Sequence, residues 1–275
     1  MNLEQQNVKH TCSIMRIQQE GPLARPVAIE TSDEVIMEKP LTIFLNEQEW
    51  ITLLSSGTAM EYLAVGFLYS EGILLRREDL LNYYLDSDEG KFHVQLKENP
   101  ELKTRLKGKR AVTTGCGKGT VFFDVLDALT TQPIKNQYKI PFDVILQLSS
   151  AFQKRSILFQ ETGGVHACAL CDISGIQLFH EDVGRHNALD KVVGEALIKD
   201  ISVDEKWLIT SGRLSSEMVI KTARYGIATL ISRSAPTNLA VELATQLNMT
   251  LIGFARGNRM NIYTGRERVF IKGEE

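Results

Sequence analysis

The sequence predicts an α/β protein in which a three-layer α/β domain follows a smaller, strand-rich α+β domain. From Pro141 onward, segments with helical periodicity alternate with short apolar segments typical of strands. Before residue 100, short β-branched segments separated by turn residues predominate. Residues 130–141 (TTQPIKNQYKIP) have the polar composition of a linker. We therefore predict two domains, residues 1–138 and residues 139–275.

The first domain is predicted to begin with short strands within residues 13–45, separated by turn pairs such as Gly-Pro and Lys-Pro. Residues 59–74 have the length and periodicity of a helix. Residues 83–97 alternate as a pair of strands around a Ser-Asp-Glu-Gly turn. The predicted early strands are CSIMRIQQ, VAIE, EVIMEK and LTIFLN.

The second domain is predicted to contain a helix, a hairpin and three further pairs of helix and strand. The predicted helices are 142–159, 186–198, 215–226 and 237–247. The predicted strands are 165–172, 176–180, 207–210, 229–232 and 251–254. Ligands of such folds bind where strands end, and polar segments follow most of these strands.

Composition excludes several functional classes. The chain has 275 residues, of which 43% are hydrophobic and 24% charged, as in ordinary globular proteins. Its net charge of −3 gives no bulk attraction to nucleic acid. Its 4 cysteines are too few for a disulfide framework. There is no signal-like apolar segment and no run near the ~20 residues of a membrane span. We expect a cytoplasmic protein that binds neither nucleic acid nor membrane.

Residues 113–120 (Thr-Thr-Gly-Cys-Gly-Lys-Gly-Thr) place a cysteine between glycines. Three glycines in five positions disfavour both helix and strand, so we predict a loop that holds the Cys116 thiol in water. Accessibility and positive charge lower the pKa of reactive cysteines, and Lys118 supplies such a charge. We predict that Cys116 is catalytic, the alternative being a small residue in a turn.

Two segments that directly follow predicted strands combine arginine with glycine: 211–213 (Ser-Gly-Arg) and 254–259. Guanidinium groups bind phosphate in a bidentate manner, and glycine allows close approach of the backbone. The amide of Asn258 is suited to reading the edge of a base. The predicted binding residues for a nucleotide or another phosphate ligand are Phe254, Ala255, Arg256, Gly257, Asn258 and Arg259.

Residues 181–187 (Glu-Asp-Val-Gly-Arg-His-Asn) concentrate polar side chains at a junction between strand and helix. Acid, arginine and histidine together suit acid–base catalysis or the orientation of phosphate. Asp182 or Asn187 alternatively caps the helix.

His166, Cys168 and Cys171 have the residue types of a zinc or redox site, but their spacing argues against one. A zinc deaminase needs a glutamate two residues after the histidine, and Cys168 stands there. Cysteines three residues apart in a strand point to opposite faces. We therefore predict no metal site and two structural cysteines.

Five segments in the C-terminal half resemble, in order, the formate dehydrogenase accessory sulfurtransferase family, FdhD. They are TGGVHA (162–167), EDVGRHNALDK (181–191), SGRLSSEM (211–218), SRSAPT (232–237) and GFARGNRMNIY (253–263). The N-terminal half matches mainly through the cysteine loop. The resemblance implies a cytidine-deaminase-like C-terminal domain and a homodimer.

The resemblance also implies a function. Family members accept sulfur from a cysteine desulfurase as a cysteine persulfide, here on Cys116. They pass it to the molybdenum cofactor, Mo-bis(molybdopterin guanine dinucleotide), before that cofactor enters formate dehydrogenase. Residues 254–259 correspond to the family's cofactor-contacting segment, which a guanine nucleotide also occupies.

One position departs from the family pattern. The persulfide loop is usually Cys-Gly-x-Cys-Gly, and Gly119 stands where the second cysteine usually lies. The carrier thiol is retained, whereas the neighbouring thiol that would resolve it as a disulfide is replaced. Two alternatives to sulfur transfer remain open: a chaperone that binds the cofactor without sulfur chemistry, and a zinc deaminase, which the missing glutamate disfavours.

Overall fold

The computed structural model describes residues 8–97, 133–135 and 138–271, and it confirms a mixed α/β architecture. Its helices are α1 (Met60–Ser70), α2 (Phe142–Arg155), α3 (Ile157–Thr162), α4 (Arg185–Ile198), α5 (Ser216–Arg224) and α6 (Asn238–Gln246). Its strands are β1 (Lys9–Gln18), β2 (Val27–Ile36), β3 (Lys39–Leu45), β4 (Gln48–Ser55), β5 (Leu80–Asp86), β6 (Lys91–Leu96), β7 (Ile140–Pro141), β8 (His166–Asp172), β9 (Gly175–Asp182), β10 (Trp207–Thr210), β11 (Thr229–Ser232), β12 (Thr250–Arg256), β13 (Arg259–Thr264) and β14 (Val269–Phe270). The likeness to cytidine deaminases and the domain boundary stay predictions.

The C-terminal half is built on a six-stranded sheet of order β13-β12-β11-β10-β8-β9. Strands β10, β11 and β12 run parallel, because α5 and α6 each return the chain to the start of the next strand. Strands β8, β9 and β13 pair antiparallel with their neighbours. The ends of β9, β10, β11 and β12 therefore share one edge of the sheet with the starts of β8 and β13.

Both faces of this sheet are covered. Successive residues of a strand point to opposite faces. Leu208 and Leu230 accordingly pack in the core that α4, α5 and α6 cover, whereas Ile209 and Ile231 pack beneath α2. Such two-sided burial explains the continuous apolar composition of β10 and β11.

The N-terminal half contains a four-stranded sheet of order β4-β3-β6-β5 with its own core. Leu41, Ile43 and Phe92 project from this sheet against Leu63 and Leu68 of α1, and all five side chains are fully buried. Strands β1 and β2 form a separate two-stranded ribbon paired over ten residues, most of them exposed. In the parts of the chain described, no helix is both long and apolar enough to cross a membrane.

Helix α1 of the N-terminal half packs on α4 of the C-terminal half through Gly66 and Gly194. Two ion pairs flank this crossing. Lys191 lies 2.5 Å from the carboxylate of Asp182, with both side chains wholly buried. Lys221 lies 2.7 Å from Asp190. Both ion pairs lie within the C-terminal half, and Ser56 and Ser70 of the N-terminal half contact them through hydrogen bonds.

The predicted helix over residues 142–159 is wrong in one respect, because the structure divides it at Ser156. That residue has φ −75° and ψ 68°, which is outside the helical region. The carboxylate of Glu181 accepts hydrogen bonds from the N–H groups of Leu158 (3.2 Å) and Phe159 (3.0 Å). These bonds satisfy the donors at the start of α3, so a distant side chain fixes where the new helix begins.

Candidate functional site

Most of the polar segments singled out in the sequence lie along one edge of the six-stranded sheet. Register places Asp182 opposite His166 at the paired ends of β9 and β8. Ser211 directly follows β10, and Arg233 directly follows β11. The segment 254–259 joins β12 to β13 at the same edge. The expectation that strand ends gather these side chains is confirmed.

Residues 254–259 form a tight hairpin turn. Arg256 pairs with Arg259 across it, and Gly257 and Asn258 form the loop between them. Gly257 has φ +62°, a conformation that glycine adopts without strain. Phe254 also has positive φ, at +53°, and its N–H donates to the backbone oxygen of Ser234 at 3.1 Å. The turn is thereby attached to the segment that follows β11.

The arginine turn, residues 254–259, presents positive charge to solvent. Ala255 is buried and anchors it, whereas Arg256, Gly257, Asn258 and Arg259 are exposed. The Arg256 guanidinium lies over the Phe254 ring, 5.7 Å from its centroid. Burial, and then the charge of Arg256, lower the pKa of Arg233. Crowded guanidinium groups of this kind bind anionic oxygens.

The cysteine loop cannot be related to this turn by geometry. Cys116, Lys118 and Gly119 lie outside the residues that the structure describes. The catalytic role of Cys116 and the ligand-binding role of residues 254–259 stay predictions.

Part of the polar cluster at residues 181–187 is structural. Asp182 accepts hydrogen bonds from the side-chain amide of Asn187 (2.8 Å) and the backbone N–H of Ser56 (3.1 Å), besides its ion pair with Lys191. Asp182 also accepts from the N–H of Gly184 at 3.2 Å, but Gly184 is itself the N-cap of α4 and no side chain caps that helix, so the capping alternative is wrong. With its oxygens so occupied, Asp182 is an anchor between the halves rather than an acid or base.

Sequence reasoning did not single out the charged residues of α4 that face the N-terminal half. Lys191 donates to the hydroxyls of Ser56 (3.0 Å) and Thr58 (3.1 Å). Asp190 accepts from Ser70 at 2.5 Å. The available signal was an adjacent acid and lysine between the apolar residues Leu189 and Val192, since such charges are buried only when they are paired.

A second basic cluster lies at the start of α4. Nδ1 of His166 lies 3.2 Å from the hydroxyl of Ser211, which also accepts from the N–H of Ala167 at 3.0 Å. Burial, and then Arg185, lower the pKa of His166. Burial is also the main cause that lowers the pKa of His186 to about 2, so its imidazole is neutral at physiological pH.

The two cysteines of β8 point to opposite faces of the sheet, which confirms that expectation. Cys168 packs in the core beneath α4 to α6, and Cys171 packs in the core beneath α2. Burial raises the pKa of both thiols far above the ordinary range. Among the described residues, no group of three or more His, Cys, Asp or Glu side chains is arranged to hold a metal ion.

Comparison with known proteins identifies relatives that share most of this chain. A sequence model described as the FdhD/NarQ family matches residues 36–270. The sulfur carrier protein FdhD of Bacillus subtilis (strain 168) is 40% identical over 240 residues, which cover 87% of this chain and 92% of that protein. The sulfur carrier protein FdhD of Bacillus pumilus is 39% identical over 238 residues, covering 86% and 91%.

A solved structure extends the likeness to three dimensions. The crystal structure of a protein from Desulfotalea psychrophila, described as a formate dehydrogenase accessory protein, superposes with a TM-score of 0.77. It is 27% identical, and the match covers 96% of this chain and 100% of that one. Sequence and fold therefore agree.

Proposed function

Because this chain belongs to the FdhD/NarQ family, we propose that it is a sulfur carrier protein required for formate dehydrogenase activity. Relatives about 40% identical are named sulfur carrier proteins, and the matched structure is described as a formate dehydrogenase accessory protein. The resemblance noted in the sequence supports the finer parts of this role. In it, a cysteine desulfurase donates the sulfur, and Mo-bis(molybdopterin guanine dinucleotide) receives it before entering formate dehydrogenase.

The arginine turn is the observation that carries the proposal. Two exposed guanidinium groups and the Asn258 amide lie together on a turn fixed by Gly257 and by the bond from Phe254 to Ser234. A guanine nucleotide, with a base edge beside a pyrophosphate, matches donors of these kinds. The turn therefore holds the nucleotide end of the cofactor, which is the substrate here.

Cys116 carries the sulfur in this proposal. Its thiolate attacks the terminal sulfur of the donor's persulfide, the donor's S–S bond breaks, and the donor leaves as a thiolate. This step is neutral in electrons. Delivery of the same sulfur as sulfide consumes two electrons. With glycine at 119 the loop lacks the usual second cysteine, so we propose that an external thiol supplies them.

Further aspects of the proposal come from the family resemblance and the composition. The protein acts in the cytoplasm as a homodimer and is a sulfurtransferase in the sense of a persulfide carrier. A chaperone that binds the same cofactor without sulfur transfer would use the same arginine turn. A measurement of sulfur loading on Cys116 therefore distinguishes the two functions.

Intact-mass analysis tests the carrier function. After incubation with a cysteine desulfurase and cysteine, the wild-type protein should gain the mass of one sulfur atom, and this gain should disappear on treatment with a reductant. Cys116→Ala should show no gain, whereas Cys12→Ala should load as wild type does. Cells carrying only Cys116→Ala should lack formate dehydrogenase activity. Full activity in those cells would refute the carrier function and favour the chaperone.

A further inference from the structure

The ribbon of β1 and β2 contributes to none of the three apolar cores that the described residues form. Its strands nevertheless pair over ten residues each. A two-stranded ribbon is only marginally stable in water by itself. Neither half of the fold therefore accounts for so long a ribbon, and contact with another molecule would.

One face of the ribbon, the inner face, rests at its base on the same chain. Lys9 and Ile36 pair in register and so point to this same face. The ammonium of Lys9 lies 2.9 Å from the carboxylate of Glu161 in α3. A Cβ added to Gly164 would lie 2.7 Å from Cγ2 of Ile36, so Ile36 lies against this glycine. The opposite face, the outer face, points away from these contacts.

The outer face exposes aliphatic side chains to water. Because successive residues alternate between faces, it consists of the even-numbered residues 10–18 and the odd-numbered residues 27–35. Val27, Ile29 and Val35 on this face are 55%, 40% and 39% exposed. Ile14 on the adjacent strand is half-buried. Apolar side chains gathered on an exposed surface mark a site of interaction with another molecule.

The two strands carry opposite charge. Strand β1 contains basic residues and no acid, whereas β2 contains acidic residues and no base. These residues are Lys9, His10 and Arg16 in β1 and Glu30, Asp33 and Glu34 in β2. Edge-to-edge pairing of two copies about a two-fold axis would place each strand beside itself, so like charges would meet. Stacking of two outer faces about a two-fold axis parallel to the strands places β1 of each copy over β2 of the other, so opposite charges meet.

We propose that the outer face of the ribbon packs on the outer face of a second copy of this chain, with β1 of each copy over β2 of the other. The proposal rests on the homodimer of the proposed function and assigns its contact surface. The aliphatic side chains form the apolar centre of the contact, and Arg16 of each copy lies over the strand that carries Asp33 in the other. Within one chain these two side chains are about half exposed and 4.0 Å apart, so both can interact with a second copy.

Analytical ultracentrifugation of the full-length chain tests the apolar part of the contact. The wild-type protein should be a dimer. Ile29→Glu should raise the dissociation constant of the dimer about a hundredfold or more, because it places a carboxylate in an apolar contact. The matched control is Ile17→Glu, on the inner face of the same ribbon, where the side chain is 69% exposed, and it should leave the dissociation constant unchanged. A monomeric wild-type protein, or an equal effect of the two changes, would overturn the proposal.

Two charge reversals test how the ribbons are stacked, and they change only exposed side chains, so they remain decisive if Ile29→Glu fails to fold. Arg16→Glu alone and Asp33→Arg alone should each weaken the dimer about fivefold at low salt, because like charges then face each other. An equimolar mixture of the two variants should associate more tightly than either variant alone, since each substituted side chain then faces one of opposite charge. Within each chain the pair stays broken, so this recovery can arise only between chains. A mixture that associates no more tightly than its components would refute the stacked arrangement.

Sulfur loading on Cys116 is measured separately on the same proteins. A chain that loads sulfur while its dimer is insensitive to Ile29→Glu would keep the proposed function and lose this contact. A dimer that Ile29→Glu dissociates, in a protein that loads no sulfur, would keep the contact and lose the proposed function.

Discussion

Gly66 and Gly194 face each other where α1 crosses α4, and neither position has room for a methyl group. A Cβ on Gly66 would lie 1.8 Å from the backbone oxygen of Asp190, and a Cβ on Gly194 would lie 1.9 Å from that of Tyr62. Real Cβ atoms do not approach backbone oxygens so closely. The helix backbones therefore touch at this crossing.

Gly66→Ala should destabilise the protein by about 1–3 kcal/mol or more, because the added methyl forces α1 away from α4. Denaturant unfolding followed by circular dichroism measures this. Glu61→Ala, in the same helix, should change the free energy of unfolding by no more than ~0.5 kcal/mol. Equal stability of Gly66→Ala and wild type would mean that the helices are farther apart than described here.

Lys191→Met should cost about 3–5 kcal/mol, because it leaves the buried carboxylate of Asp182 without its cation. The double variant Lys191→Met with Asp182→Asn should cost less than the sum of the single changes. Arg16→Met, which removes an exposed contact to Asp33 at 4.0 Å, serves as the control and should have little effect. If the effects of Lys191→Met and Asp182→Asn on the free energy of unfolding were strictly additive, a direct interaction between Lys191 and Asp182 would be contradicted.

Arg256→Gln and Arg259→Gln should each weaken binding of GDP by ~1.5–3 kcal/mol, since each removes charge-assisted hydrogen bonds. Titration calorimetry measures this, with Arg76→Gln as the matched control. We also expect GDP to bind more tightly than ADP, because the proposed function has the Asn258 amide read the edge of a guanine base. Equal affinity for the two nucleotides, or no binding of either, would refute a guanine site.

Cys168 and Cys171 should resist iodoacetamide in the folded protein, because burial keeps both as neutral thiols. Peptide mass analysis should find them labelled only after denaturation. Changing both to alanine should leave formate dehydrogenase maturation largely intact. Stoichiometric zinc that disappears in the double variant would instead make them metal ligands.

Periodicity was enough to predict most elements of the C-terminal half. Among the described strands, β4, β13 and the two-residue strands β7 and β14 were missed. The signals of β4 and β13 are weak. Strand β4 carries polar residues at its start, and β13 alternates exposed and half-buried positions outside a clear apolar run. The division between the predicted strands VAIE and EVIMEK is also wrong, because Ser32 between them pairs with Ser13 inside a continuous ten-residue ladder. Pairing here overrides the local turn preference of the Ser-Asp pair at residues 32–33.

The arginine turn was predictable as a location because glycine and arginine directly follow an apolar strand. The role of Asp182 was not predictable, since its partner Ser56 lies 126 residues away. The packing of Arg185 was equally hidden, because its side chain lies against Gly212 from another strand end. Sequence patterns report local periodicity, whereas these contacts depend on how distant segments meet.

The charged contact between the halves has a consequence for chimeras and truncations. Across the crossing of α1 and α4, Lys191 donates a hydrogen bond to Ser56 and Asp190 accepts one from Ser70. A fragment beginning at residue 139 would lack both serines, so Lys191 and Asp190 would lose these hydrogen-bond partners. The apolar face of α4 that packs on α1 would also be exposed to solvent. A chimera that takes one half from a relative must therefore take the two serines and helix α4 from the same protein. Neither half should fold stably without the other, so the two sheets should unfold in a single thermal transition.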